Sequence, residues 1–154
     1  MQPLATVKIG KWIGRAMIDT GSTKTLVSDK IVSQIGSPVY KDEFAERVNT
    51  ISGIACFDQK IRANINLLGH QAHKWNITVV KDSPAINNNE FEAIIGADLL
   101  SKLPPVLIDY QKGVLSLPRP QLKSKSNNSA PLMSVQSCSS NWWMKRNTSI
   151  RPGF

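Results

Sequence analysis

The residues with the clearest capacity for chemistry are Asp19, Thr20, Gly21 and Ser22, which directly follow a run of apolar residues. A carboxylate at the end of a buried strand is costly to desolvate, so its presence there favours a role in acid–base chemistry. Gly21 lets a ligand or a second backbone come close, and the Thr20 hydroxyl can stiffen the loop by hydrogen bonding. The alternative is an Asp that only caps an ordinary turn, and four residues alone do not decide between the two.

Short stretches of alternating apolar and polar residues predict that this motif lies in a β-sheet protein. Residues 97–103 predict one short helix, which Pro104 and Pro105 stop. Many short strands at regular spacing indicate a small closed barrel or a sandwich. The predicted strands are residues 7–9, 13–18, 25–27, 48–51, 57–61, 61–67, 75–79, 91–95, 106–108 and 114–117, with a helical turn at 29–35 that ends at Gly36.

The net charge of +8 divides the 154-residue chain into two parts. Residues 1–117 hold thirteen Lys and Arg against eleven Asp and Glu, a net of +2, and we predict that they form the domain. Residues 118–154 hold six basic and no acidic residues and are rich in Ser, Asn and Pro, which is typical of a flexible tail or linker. The alternative is a tail that binds nucleic acid through phosphates, with Trp142 and Trp143 stacking on bases.

The composition also excludes several classes of protein. Hydrophobic residues at 41% and charged residues at 19% indicate a folded globular chain rather than a disordered one. No apolar run approaches the roughly 18 residues that a membrane-spanning helix needs. Two cysteines, Cys56 and Cys138, cannot form a disulfide framework, and the first ten residues lack a secretory signal. We therefore expect a protein of the reducing cytoplasm that does not interact with membranes.

Several motifs in a fixed order, over residues 3 to about 117, resemble the retropepsin family, the aspartic proteases of retroviruses and LTR retrotransposons. The matching segments are PLATVKIG at 3–10 (the strand before the active site), RAMIDTGS at 15–22 (the catalytic strand), TLV at 25–27 (the next strand), TISGI at 50–54 (the flap), NLLGH at 66–70 (a turn) and AIIGADLL at 93–100 (the second signature, leading into the helix). The resemblance implies an all-β, retropepsin-type closed barrel with a glycine-tipped flap hairpin and one short C-terminal helix.

The resemblance also implies that Asp19 acts in a pair. Aspartic proteases use two carboxylates about 3 Å apart that share one proton. The Asp-Thr-Gly triplet occurs once in the chain, so the second carboxylate must come from a C2 homodimer with one Asp19 from each subunit. Thr20 would then bond across the axis, and Gly21 would leave room for the substrate backbone. Ser22 stands where most retroviral members carry Ala, but pepsin-like enzymes also use Ser there.

The hairpin at residues 48–60 is expected to close over an extended peptide, since such a peptide pairs naturally with strand edges. By position, Ile51, Ser52, Gly53 and Ile54 are the candidates for substrate contact.

No cofactor is expected. His70 and His73 form an H-x-x-H pattern, but no nearby acid or cysteine completes a set of metal ligands, and in a strand this spacing places the two side chains on opposite faces. We therefore predict no metal site.

The leading hypothesis for function is an aspartic endopeptidase that processes the polyprotein of a retroelement. The second is a retropepsin-fold module without catalysis, which dimerises or binds peptides. The third is nucleic-acid binding through the basic tail, which would be sensitive to salt and lost on truncation at Pro118.

Overall fold

The computed structural model describes residues 3–50, 53–81, 86, 90–119 and 133–137, and these form a mostly β molecule. The helical elements are a 3₁₀ turn at Asp29–Ile31, α1 at Val32–Ile35 and α2 at Ala97–Leu100. The strands are β1 Leu4–Ile9, β2 Trp12–Ile18, β3 Leu26–Ser28, β4 Tyr40–Thr50, β5 Gly53–Leu67, β6 His70–Val80, β7 Ala93–Ile95, β8 Leu107–Asp109, β9 Val114–Pro118 and β10 Met133–Ser137.

Six strands close into a barrel in the order β1-β2-β7-β3-β6-β5. The ring closes because β5 also pairs with β1, with Lys8 opposite Asn66 and Ile9 opposite Ile65. Two parallel pairs, β2 with β7 and β3 with β6, lie among otherwise antiparallel neighbours. The closed all-β barrel predicted from the sequence is therefore confirmed.

Alternation along the strands builds the barrel core. In β5, Ile61, Ala63 and Ile65 are buried while Arg62 and Asn64 are exposed. Because successive side chains of a strand point to opposite faces, this spacing directs every second residue inward. Full burial of a Leu or Ile side chain is worth about 1.5–3 kcal/mol, so the alternation is the main local reason why these residues form strands.

One predicted helical segment ends where the sequence predicted, and the other ends earlier. The 3₁₀ turn and α1 occupy the predicted helical turn, and Gly36 ends α1 with a φ of 82°, a left-handed conformation that suits glycine. The helix α2 is shorter than the predicted 97–103. After Leu100 the amides of Lys102 and Leu103 bond to carbonyls three residues back, which tightens the turn ahead of the prolines.

The last strands form a separate three-stranded sheet in the order β10-β9-β8. The strand β10 lies within residues 118–154, where the sequence predicted no strand, and pairs along the length of β9 from Met133 opposite Pro118 to Ser137 opposite Val114. The boundary of the domain at residue 117 stays a prediction. Trp142, Trp143 and Cys138 lie outside the described residues. Among those described, no helix has the length and apolarity that crossing a membrane requires.

His70 ties the barrel to this C-terminal sheet, because its Nε2 hydrogen-bonds to the carbonyl oxygen of Pro118. A carbonyl oxygen only accepts, so Nε2 carries the proton. We expect His70→Phe, which keeps a ring but removes the donor, to lower the free energy of unfolding by about 1 kcal/mol in denaturant titrations. The control is His73→Phe three residues away, where the side chain is exposed. Equal losses in both variants would contradict a specific role of the His70 bond.

Candidate active site

Asp19 is placed by the parallel pairing of β2 and β7. Ile18 pairs with Ile95 at the ends of these strands, and the Asp19 amide donates to the Ile95 carbonyl at 3.0 Å. The chain then turns back on itself, with the Ser22 amide bonded to the Asp19 carbonyl at 3.2 Å. Asp19 is only 2% exposed, so its carboxylate lies inside the protein surface.

The two oxygens of the Asp19 carboxylate have different surroundings. Oδ1 accepts a hydrogen bond from the Gly21 amide at 2.9 Å. Oδ2 is also buried, but it finds no hydrogen-bond partner within the described part of the chain. Buried polar atoms are nearly always bonded, and an unbonded carboxylate oxygen is costly. One acceptor of this buried carboxylate is therefore left without a donor from the described chain.

The other residues of the motif have separate places in the loop. Ser22 is fully buried, and its hydroxyl donates to the Lys24 carbonyl at 2.7 Å, so it braces the loop from within. Thr20 and Gly21 are exposed. Gly21 does not have a positive φ, so its small size rather than a left-handed backbone is what matters: an added Cβ would lie 3.1 Å from Asp19 Oδ1.

The second signature, residues 93–100, hydrogen-bonds to the loop that carries Asp19. The Ala97 amide donates to the Ser22 carbonyl at 2.7 Å, and the Gly96 amide donates to the Thr25 hydroxyl at 3.2 Å. Gly96 lies so close to the loop that an added Cβ would be 2.3 Å from the Lys24 carbonyl oxygen. The sequence indicated that this apolar-apolar-Gly segment matters but not that it contacts the loop that carries Asp19.

The side chains of Asp98 and Trp75 extend this hydrogen-bonded support of the loop, and neither residue was a candidate from sequence alone. Asp98 accepts from the Thr25 hydroxyl at 2.8 Å and from the Trp75 indole nitrogen at 3.1 Å. The signal in the sequence was a carboxylate two residues after Gly96, but its partners, Thr25 and Trp75, are far from it in the sequence and no spacing connects them.

The predicted flap corresponds to the antiparallel hairpin of β4 and β5. Thr50 pairs with Gly53 and Asn49 pairs with Ile54, which places Gly53 at the start of β5. Ile51 and Ser52 lie outside the described residues. Their contact with substrate, like that of Gly53 and Ile54, stays a prediction.

An apolar patch separate from the main core connects the hairpin to the strands that carry the motif. It is built on Met17, Leu26 and Ile94, which are neighbours in register on β2, β3 and β7. Phe57 of β5, only partly buried, packs against this cluster. The patch is therefore a buried apolar contact between the hairpin and the strand that ends at Asp19.

His70 and His73 are not brought to a common ligand set. His70 bonds to Pro118, as described above, and His73 is exposed. Among the described residues, no group of three or more His, Cys, Asp or Glu side chains is arranged to hold a metal ion.

The family model described as "gag-polyprotein putative aspartyl protease" matches residues 5–102, a span that includes the Asp19 loop and the Gly96 support. No curated protein matches the sequence. Among solved structures, the retroviral protease-like domain of Ddi1 from Leishmania major is similar over 76% of this chain and 84% of that one, at 17% identity and a TM-score of 0.48.

Proposed function

The chain belongs to the gag-polyprotein aspartyl protease family, and we propose that it is an aspartic endopeptidase that works as a C2 homodimer. The family resemblance of the sequence is confirmed by the match over residues 5–102. The homodimer, the catalytic activity and the role of each residue are our proposal. We also propose that it acts in the cytoplasm on the polyprotein of a retroelement.

The observation that carries the proposal is the buried, unpartnered Oδ2 of Asp19. A single carboxylate cannot serve as both acid and base in one step, and the chain holds one Asp-Thr-Gly triplet. A two-fold axis beside the loop would bring a second Asp19 to the first. Once the groups that cover Oδ2 in the single chain move aside, a proton shared by the two carboxylates would give Oδ2 the partner that one chain lacks. Exposed Thr20 and Gly21 are the loop residues positioned to meet their counterparts.

The reaction then needs no cofactor. The ionised carboxylate takes a proton from water, and the water oxygen attacks the peptide carbonyl carbon. The protonated carboxyl gives its proton to the carbonyl oxygen, which forms a tetrahedral diol. The proton taken from water passes to the amide nitrogen as the carbon–nitrogen bond breaks, and the diol returns its proton to the carboxylate pair. Both products leave, and the pair again shares one proton.

The substrate that suits this site is an extended peptide. The hairpin of β4 and β5 supplies strand edges for main-chain hydrogen bonds.

The test is cleavage of a diverse peptide library by the full chain at mildly acidic to neutral pH, over a range of protein concentrations. We expect the rate per chain to rise with concentration until the dimer is saturated, since only the dimer contains both carboxylates. Sedimentation on the same samples should show dimer formation over the same concentration range. No cleavage by a protein that sediments as a dimer would refute the enzyme proposal and support the non-catalytic, peptide-binding module instead.

A further inference from the structure

The carboxylate of Asp98, on α2, bonds to two side chains that are distant in the sequence, Thr25 just before β3 and Trp75 on β6. Its Oδ1 accepts from the Thr25 hydroxyl at 2.8 Å, and its Oδ2 accepts from the Trp75 indole at 3.1 Å. Asp98 lies in the first turn of α2, where an acidic side chain interacts favourably with the helix dipole. That end of α2 has Gly96 as its N-cap and no side-chain capping bond, so this carboxylate serves another purpose.

The Thr25 hydroxyl transmits the influence of Asp98 to the catalytic loop. Thr25 is fully buried, and its hydroxyl donates its one proton to Asp98. Because the proton points to Asp98, a lone pair of the same hydroxyl oxygen is free to accept from the Gly96 amide at 3.2 Å. The next amide, that of Ala97, holds the Ser22 carbonyl at 2.7 Å. A chain of hydrogen bonds therefore runs from Trp75 through Asp98 and Thr25 to Gly96, next to the amide that bonds to the loop bearing Asp19.

We propose that Asp98 is a positioning residue for Asp19, anchored by the Trp75 indole on β6. By fixing the orientation of the Thr25 hydroxyl, it holds Gly96 and Ala97 against the loop and keeps the Asp19 carboxylate where its counterpart must meet it. Placement errors of about 1 Å in a catalytic group can lower a rate about 100-fold, so a remote brace of this kind has a measurable effect. As a statement about catalysis, this inference rests on the proposed function.

Asp98→Asn is a sharp test, because each Asp98 oxygen accepts one donor and an Asn side chain has only one acceptor oxygen. In Asp98→Asn, one side-chain position becomes an NH₂ group. If that group faces Trp75, two donors oppose each other; if it faces Thr25, the hydroxyl proton loses its acceptor. Trp75→Phe removes the indole donor, so in the double variant the remaining amide oxygen can accept from Thr25 without conflict.

The experiment measures kcat and KM, normalised to active sites titrated with a hydroxyl-bearing transition-state-analogue peptide, together with hydrogen exchange of the amides of residues 21–25. We expect Asp98→Asn to lower kcat about 10- to 100-fold with little change in KM, and to speed exchange in the loop. Asp98→Asn/Trp75→Phe should recover most of both. Asp109→Asn is the matched control, since that carboxylate accepts from the amides of Gln111 and Lys112 in its own turn.

The outcomes separate this proposal from the proposed function. A normal kcat and normal loop exchange in Asp98→Asn would overturn the positioning role, as would a loss that follows thermal stability alone and is not recovered in the double variant. If the wild-type chain cleaves nothing, the enzyme proposal fails. The hydrogen exchange of the loop still decides whether Asp98 positions it.

Discussion

Asp19→Asn is expected to lower peptide cleavage by about 10⁴-fold or more, because a pair of neutral amides can neither take a proton from water nor share one. The fold should persist, since the Asn oxygen can still accept from the Gly21 amide that now bonds to Oδ1. The measurement is the cleavage rate of the best library peptide for wild type and variant at equal dimer concentration. Residual cleavage within tenfold of wild type would assign the chemistry to another residue.

The same substitution is expected to leave stability unchanged or raise it by about 1 kcal/mol, because a buried carboxylate oxygen without a partner destabilises the folded chain more than a neutral amide does. Asp29→Asn is the matched control. Its Oδ1 is likewise buried without a hydrogen-bond partner among the described residues, but it lies in the 3₁₀ turn and has no part in the proposed chemistry. Asp29→Asn should therefore keep full activity, whereas Asp19→Asn should have none.

Mixing wild-type and Asp19→Asn chains tests the dimer within the same experiment. With random exchange of subunits in an equal mixture, about a quarter of the dimers hold two Asp19 residues, so activity should fall well below one half of the unmixed wild type. Activity that falls only in proportion to dilution would show that each chain acts alone.

The sequence predicted the barrel more fully than the site, because strands follow from a local residue pattern whereas the contacts at the site join residues far apart in the sequence. The alternation of Ile61, Ala63, Ile65 and Leu67 is a local pattern, and burial alone turns it into a strand. The strand β10 was missed because Met133–Ser137 is a short stretch among Ser- and Asn-rich neighbours, and its pairing with β9 is not visible in its own residues. The shorter α2 likewise depends on how the chain turns before Pro104.

At the site, the motif at Asp19 could be found from residue types, but its surroundings could not. The link from Thr25 to Asp98 spans 73 positions in the sequence, and it forms only because the parallel pair β3–β6 and the neighbouring strand β7 bring the two together. The unpartnered Oδ2 of Asp19 is a property of packing, which no spacing reveals. Sequence therefore identified the carboxylate, and the fold identified what holds it in place.

Gly96→Ala is expected to lower the free energy of unfolding by about 3 kcal/mol or more, at the upper end for the addition of one methyl group. Its backbone, with φ −95° and ψ −179°, is available to alanine, so the obstacle is space alone. The added Cβ would lie 2.3 Å from the Lys24 carbonyl oxygen and 2.8 Å from that of Ser22. Both are backbone atoms that cannot rotate away, so the loop and the second signature must separate, which breaks the bond from the Ala97 amide to Ser22.

Gly21→Ala is the matched control for Gly96→Ala, because it adds the same methyl group where there is more space. There the added Cβ would meet one atom, Asp19 Oδ1 at 3.1 Å, so the folded chain should lose no more than about 1 kcal/mol. Activity should nevertheless fall, because the methyl group would project beside the carboxylate where the second loop and the substrate must approach. Denaturant unfolding and cleavage rates on both variants separate the two effects: Gly96→Ala loses stability and activity together, whereas Gly21→Ala loses activity alone. Wild-type stability in Gly96→Ala would contradict the close packing of the second signature against the loop.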